Sequence, residues 1–83
     1  MTAYLKPVYD SRKSFYNKAI VEENEKEIIL YSYKTKVAVI DKASNHCKIA
    51  GTYSNTTLRH IKEFLLQNNL SCGSKKEIEK MYM

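Results

Sequence analysis

The hydrophobic pattern of this chain changes period at Gly51, and that change divides the fold into a sheet followed by a helix. After it, in GTYSNTTLRHIKEFLLQNN, Leu58, Ile61, Phe64 and Leu65 recur at three- and four-residue spacing and form one apolar stripe. Ser54 suits the N-cap, Thr56 or Thr57 can share that role, and Asn68 and Asn69 tolerate the left-handed backbone of a helix stop. Arg59, Lys62, Glu63 and Gln67 fall on the other faces. Arg59 and Glu63 stand four apart and read as an exposed pair worth only about 0.2–0.5 kcal/mol, so packing of the stripe must hold the helix.

Before Gly51 the pattern is that of strands. FYNKAIVEE, from Phe15 to Glu23, reads as a first strand with Ala19 and Val21 on one face. Asn24 among charged neighbours marks a turn over Glu22 to Lys26. Glu27 to Tyr33 follows, with Ile28 and Leu30 opposed by Ile29, Tyr31 and Tyr33. Lys34 to Asp41 sets Val37 and Val39 against Ala38 and Ile40. Lys42 to Asn45 is a second turn and His46 to Ala50 a fourth strand. Links this short allow only antiparallel pairing. Beyond a loop, Ser74 and Glu77 have capping-box spacing, so KKEIEKMYM should form a short last helix with Ile78, Met81 and Tyr82 on its apolar side. The reading is an α+β fold: an antiparallel four-stranded sheet over about residues 15–50, a main helix over about 55–68 and a short C-terminal helix. Residues 15–83 make one domain. Residues 1–14 hold the single proline, Pro7, and read as an extended N-terminal arm that lies over the domain or waits for a partner.

Two of the strands are apolar on both faces, and one main helix covers only one of them. That adds a homodimer to the expected partners, because 83 residues leave a thin core. Hydrophobic residues at 43% and charged ones at 28% suit a folded chain. The net charge of +5 favours an anionic partner such as nucleic acid, yet along the sequence it is spread out, interrupted only by the acidic stretch EENEKE. No apolar run reaches the roughly 20 residues of a membrane span, and Lys6 and Pro7 interrupt the apolar start that a signal peptide needs; a cytoplasmic protein with no membrane partner is expected.

Little in the chain points to catalysis. His46 and His60 are the only histidines, and Glu63, three after His60, is the nearest candidate ligand, where zinc needs three or four. Cys47 and Cys72 form no C-x-x-C pair, and pairing Cys47 with His60 leaves no third orienting group. Two glycines cannot build a phosphate-cradling loop. The expectation is a non-enzymatic protein without metal or cofactor. Ser54, Asn55, Thr56 and Thr57 do concentrate hydroxyls and amides at a helix start, where they cap the helix or meet a phosphate, with Arg59, His60 and Lys62 extending the surface.

The motifs KSFYNKAIV, YSYKTKVAVID and GTYSNTTLRHIKEFLLQN resemble a family of small uncharacterised proteins encoded by bacteriophages and other mobile elements of bacteria. The resemblance runs from about Lys13 to Gln67 and departs at Asn17, where members commonly have glycine. It implies an origin and no activity. Small proteins of that origin often bind and block a host machine, including CRISPR nucleases, which by analogy makes the partner a bacterial protein or nucleoprotein complex that processes nucleic acid or serves defence. The rival is a small basic protein that binds DNA or RNA directly. In either case the expected contact surface is Tyr4 and Tyr9 on the arm with Tyr53, Ser54, Thr56, Thr57, Arg59 and Lys62 around the helix start, because tyrosine offers large contact area with few rotors to freeze.

Overall fold

The computed structural model describes all 83 residues. Five strands, β1 (Thr2–Tyr4), β2 (Ala19–Glu23), β3 (Glu27–Ser32), β4 (Thr35–Asp41) and β5 (His46–Ile49), are followed by helices α1 (Asn55–Gln67) and α2 (Lys75–Tyr82). The strands pair antiparallel in chain order, a meander, so the fold is α+β with an antiparallel sheet and two helices. No helix is long and apolar enough to cross a membrane.

The sheet has five strands rather than four. The additional one comes from the first residues: Thr2, Ala3 and Tyr4 pair with Glu22, Val21 and Ile20, and the Leu5 N–H extends the ladder to the Ala19 carbonyl. Three residues are too few to show an alternation in sequence. An edge strand also needs only one partner, so weak local preference is enough. The first expected strand is shorter than FYNKAIVEE suggests, because Tyr16 and Asn17 both take positive φ and fold residues 15–18 into a tight turn before β2 begins.

A bulge corrects the expected face pattern of β4. Leu30 opposes Ala38 but Tyr31 opposes Lys36, which leaves Val37 as the extra residue. Val37 therefore turns inward beside Ala38 and Ile40, all three fully buried, and only Val39 stays on the outer face.

Both helices cover the same face of the sheet. Leu30, Ala38, Ile40, Cys47 and Ile49 from the strands join Ile61, Phe64 and Leu65 of α1 and Ile78 of α2 in one core. Ser54 caps α1 through its hydroxyl, which accepts from the Thr57 N–H at 3.1 Å, and Asn69 at φ 59° lets the chain leave the helix. The Ser74–Glu77 capping box is present at the start of α2, and Thr52 Oγ1 donates to Glu79 at 3.1 Å, holding that helix beside β5. The outer face carries Ile20, Ile29, Tyr31 and Val39 without a helix over them. All four are half-buried or better within one chain, Ile29 to 7% exposure.

Ile61 has no exposed surface at the centre of the helix–sheet contact. Ile61→Ala should cost about 2–5 kcal/mol in urea denaturation. A loss under half a kcal/mol, roughly that of a surface change, would mean that the α1 stripe does not carry the core.

Candidate binding surface

Helix α1 is covered on two sides, and the second cover is the N-terminal segment. Glu63, expected on an exposed face and paired with Arg59, is 1% exposed. Its carboxylate accepts from three successive backbone amides: Val8 to Oε2 at 3.0 Å, Tyr9 to Oε1 at 3.0 Å and Asp10 to Oε1 at 2.9 Å. Gln67, one turn on, donates to the same carboxylate at 2.6 Å and to the Lys6 carbonyl at 2.7 Å. Arg59 pairs with Asp10 instead, at 2.9 Å. Four-residue spacing allowed the Arg59–Glu63 pair, but three otherwise unpaired amides outbid a solvated guanidinium for a buried carboxylate.

One turn before Glu63, His60 is fully enclosed. Its Nδ1 lies 2.8 Å from the Ser32 hydroxyl, which in turn meets Thr57 Oγ1 at 3.0 Å. Phe15 packs edge-on against the imidazole with ring centroids 4.7 Å apart, and Tyr33 stands at 5.9 Å. The Nε2 atom is buried without a partner. Burial lowers the His60 pKa from its ordinary 6.5, the Arg12 guanidinium lowers it further and Asp10 opposes them. Ser32 and His60 form the one hydroxyl–imidazole pair, and both are sealed from solvent, so this is a structural polar network and not a nucleophile with its base. Burial likewise pushes the Cys47 thiol up to about 11 and raises that of Cys72. No three His, Cys, Asp or Glu side chains are grouped to hold a metal ion.

The exposed chemistry gathers at one end of the sheet, where β2 begins, β3 ends, β4 begins and β5 runs on into α1. Three tyrosines project there: Tyr16 at 76% exposure, Tyr33 at 50% and Tyr53 at 63%. Each has positive φ, 52°, 50° and 50°. Tyr16–Asn17 and Tyr33–Lys34 are the central pairs of tight turns in which both residues are left-handed, as in a type I′ turn, a place that favours Asn and Gly. A bulky residue there is an outlier held against roughly 1–3 kcal/mol of strain. The turns and strand ends here, and the chain leading into them, carry Arg12, Lys13, Lys18, Lys34 and Lys36, all exposed. A shallow concavity of about 200 Å³ lies between the two turns, lined by Asn17, Lys18, Ile20, Tyr33 and Lys34.

The opposite end is acidic. The β2–β3 and β4–β5 turns hold Glu22, Glu23, Glu25, Glu27 and Asp41 against Lys26 and Lys42, and Lys42 is bridged to Glu23. The charge that looks evenly spread in sequence is thus sorted in space.

Of the expected contact residues, Tyr53 and Ser54 lie at the tyrosine end, and Ser54 is occupied in capping. Thr56 is partly exposed beside them. Thr57 is buried under Ser32 and His60 and closed to a partner. Arg59 is held by Asp10, and Lys62 sits half-buried further along α1. Tyr4 and Tyr9 are exposed, Tyr9 from the segment bound to Glu63. Sequence reasoning missed Tyr16, Tyr33 and their lysines because strand alternation assigns residues to faces and says nothing about strand ends. The Tyr-Asn and Tyr-Lys pairs at hairpin positions were the available signal.

A family of unknown function, DUF8033, matches residues 3–80. The chain belongs to this family. The match runs from within β1, through the Glu63-bound segment and α1, to all but the last two residues of α2, so the family unit takes in the arm as well as the sheet. No curated protein and no solved structure matches the chain significantly.

Glu63→Gln keeps the shape but replaces one accepting oxygen with a donor facing backbone N–H groups. It should cost on the order of 3 kcal/mol and speed hydrogen exchange of the Val8, Tyr9 and Asp10 amides more than that of β3. Equal protection in both proteins would remove Glu63 as the anchor. For His60 the sign follows from its lowered pKa: below about 6.5 the unfolded chain takes up a proton that the folded chain resists. This contribution to stability is full above that pH and is lost as pH falls toward the depressed folded value. Melting temperature should therefore drop between about pH 7.5 and 5.5, and His60→Gln should flatten the slope.

Proposed function

We propose that this protein is a non-enzymatic product of a phage or mobile element that binds and blocks a bacterial nucleic-acid-processing or defence complex through its tyrosine- and lysine-rich end. The observation that carries the reading is the set of Tyr16, Tyr33 and Tyr53, exposed in a strained backbone amid five cations. Tyr33 stands beside His60 and Tyr53 lies over Gly51, but all three rings remain half-exposed or more, and contact with a partner would account for bulk at Tyr16, where glycine or asparagine would relieve the backbone. Tyrosine and basic side chains together suit an acidic or nucleic-acid-bearing surface of the target. The acidic opposite end would orient the approach. The motif resemblance supports the origin, and the sealed state of Ser32 and His60 agrees with action by binding.

The test uses the double variant Lys18→Glu with Lys34→Glu, both side chains being exposed and free of ion pairs. The parent should capture a nucleic-acid-processing complex from defence-expressing bacteria and reduce its activity. The variant should fold alike and lose capture and inhibition by at least about tenfold, the effect of roughly 1.4 kcal/mol. Undiminished inhibition by the folded variant would move the contact surface elsewhere. A parent that inhibits no such complex would end the reading.

A further inference from the structure

We infer that the tyrosine end holds single-stranded nucleic acid, with unpaired bases stacked on Tyr16, Tyr33 and Tyr53 and the phosphates running along Arg12, Lys13, Lys18, Lys34 and Lys36. This rests on the reading of that end as the contact surface and names what it grips. The rings precede β2, follow β3 and follow β5, so three separate chain segments bring them to one end of the sheet. An array of separated rings interleaved with cations is a platform for successive bases, since every base has a face to stack and every link a charge to neutralise. Duplex phosphates would engage the lysines and leave the rings idle. The concavity of about 200 Å³ between the Tyr16–Asn17 and Tyr33–Lys34 turns is smaller than the usual 300–1,000 Å³ of a small-molecule pocket and is open at the surface, as the seat of one flipped-out ring would be. Its lining joins one ring, one aliphatic side chain and two lysines.

The placement of the rings on left-handed residues gives a way to separate binding from folding. At φ 52° glycine carries no steric penalty, so Tyr16→Gly relieves backbone strain while it removes the ring. The probes are labelled oligothymidylate and oligouridylate of about 12 nucleotides, within the usual site sizes, and a mixed-sequence duplex of the same length, in about 50 and 200 mM salt. The parent should bind either single strand more tightly than the duplex, with affinity falling as salt rises. Tyr16→Gly should weaken single-strand binding at least fivefold, the loss of one stacked base, without lowering the melting temperature, and Tyr16→Phe should retain it. In the unaltered protein, nuclear magnetic resonance should show the ring protons of Tyr16, Tyr33 and Tyr53 moving upfield as strand is added. No single-strand binding, or binding that is equal for duplex and indifferent to Tyr16→Gly, would overturn the inference. If the oligonucleotides fail to bind while a nuclease-treated complex is still captured and blocked, the inference falls and the proposed function stands. If they bind in the tyrosine-dependent way and no complex is inhibited, the proposed function falls and the inference stands.

Discussion

The fold depends on a carboxylate placed where a helix would ordinarily show an apolar or a solvated side chain. Glu63 gathers the amides of Val8, Tyr9 and Asp10 and so fixes the N-terminal segment over α1. Those amides belong to an irregular stretch with no strand to pair with, and one carboxylate supplies acceptors to all three. The consequence is a layered order: sheet, then α1, then the arm. Leu5 and Phe15, on either side of the tethered residues, enter the same core as the strands, and Phe15 closes over His60. Without this attachment α1 would be a helix lying on a sheet with one side open.

Much of the architecture was legible in the sequence because it rests on local rules. The period change at Gly51, the Ser54 cap, the Asn24 turn, the Ser74–Glu77 box and the antiparallel order each follow from a few adjacent residues. What escaped was set by distant partners. β1 is a strand only because β2 offers it an edge, and Glu63 is buried only because residues 8–10 arrive there. The inward turn of Val37 needs a bulge that strict alternation does not foresee. For the surface, Tyr53 and Ser54 could be found at the helix start, but Tyr16 and Tyr33 could not, because their meeting depends on two hairpin turns ending at the same edge.

The sorting of charge has a topological cause. In a meander, successive turns alternate between the two ends of the sheet, so residues far apart in sequence but an even number of turns apart share one end. The acidic stretch between β2 and β3 meets Asp41 at the end of β4, while the basic residues near Tyr16, Tyr33 and Lys36 meet at the other. Along the chain the two signs interleave; across the fold they form a dipole. A chain of modest net charge can in this way present one strongly basic surface without the repulsion that a uniformly basic protein would carry.

The tether between Glu63 and residues 8–10 also fixes an order of events during synthesis. The arm precedes its acceptor by more than fifty residues. The hairpins between β2 and β5 join neighbours in sequence and close early, since short loops form fastest. Until α1 has emerged and coiled, the amides of Val8, Tyr9 and Asp10 lack the acceptor that holds them in the finished fold. The strands can thus pair before the segment at residues 8–10 is tied down, and that tether closes only once α1 has formed.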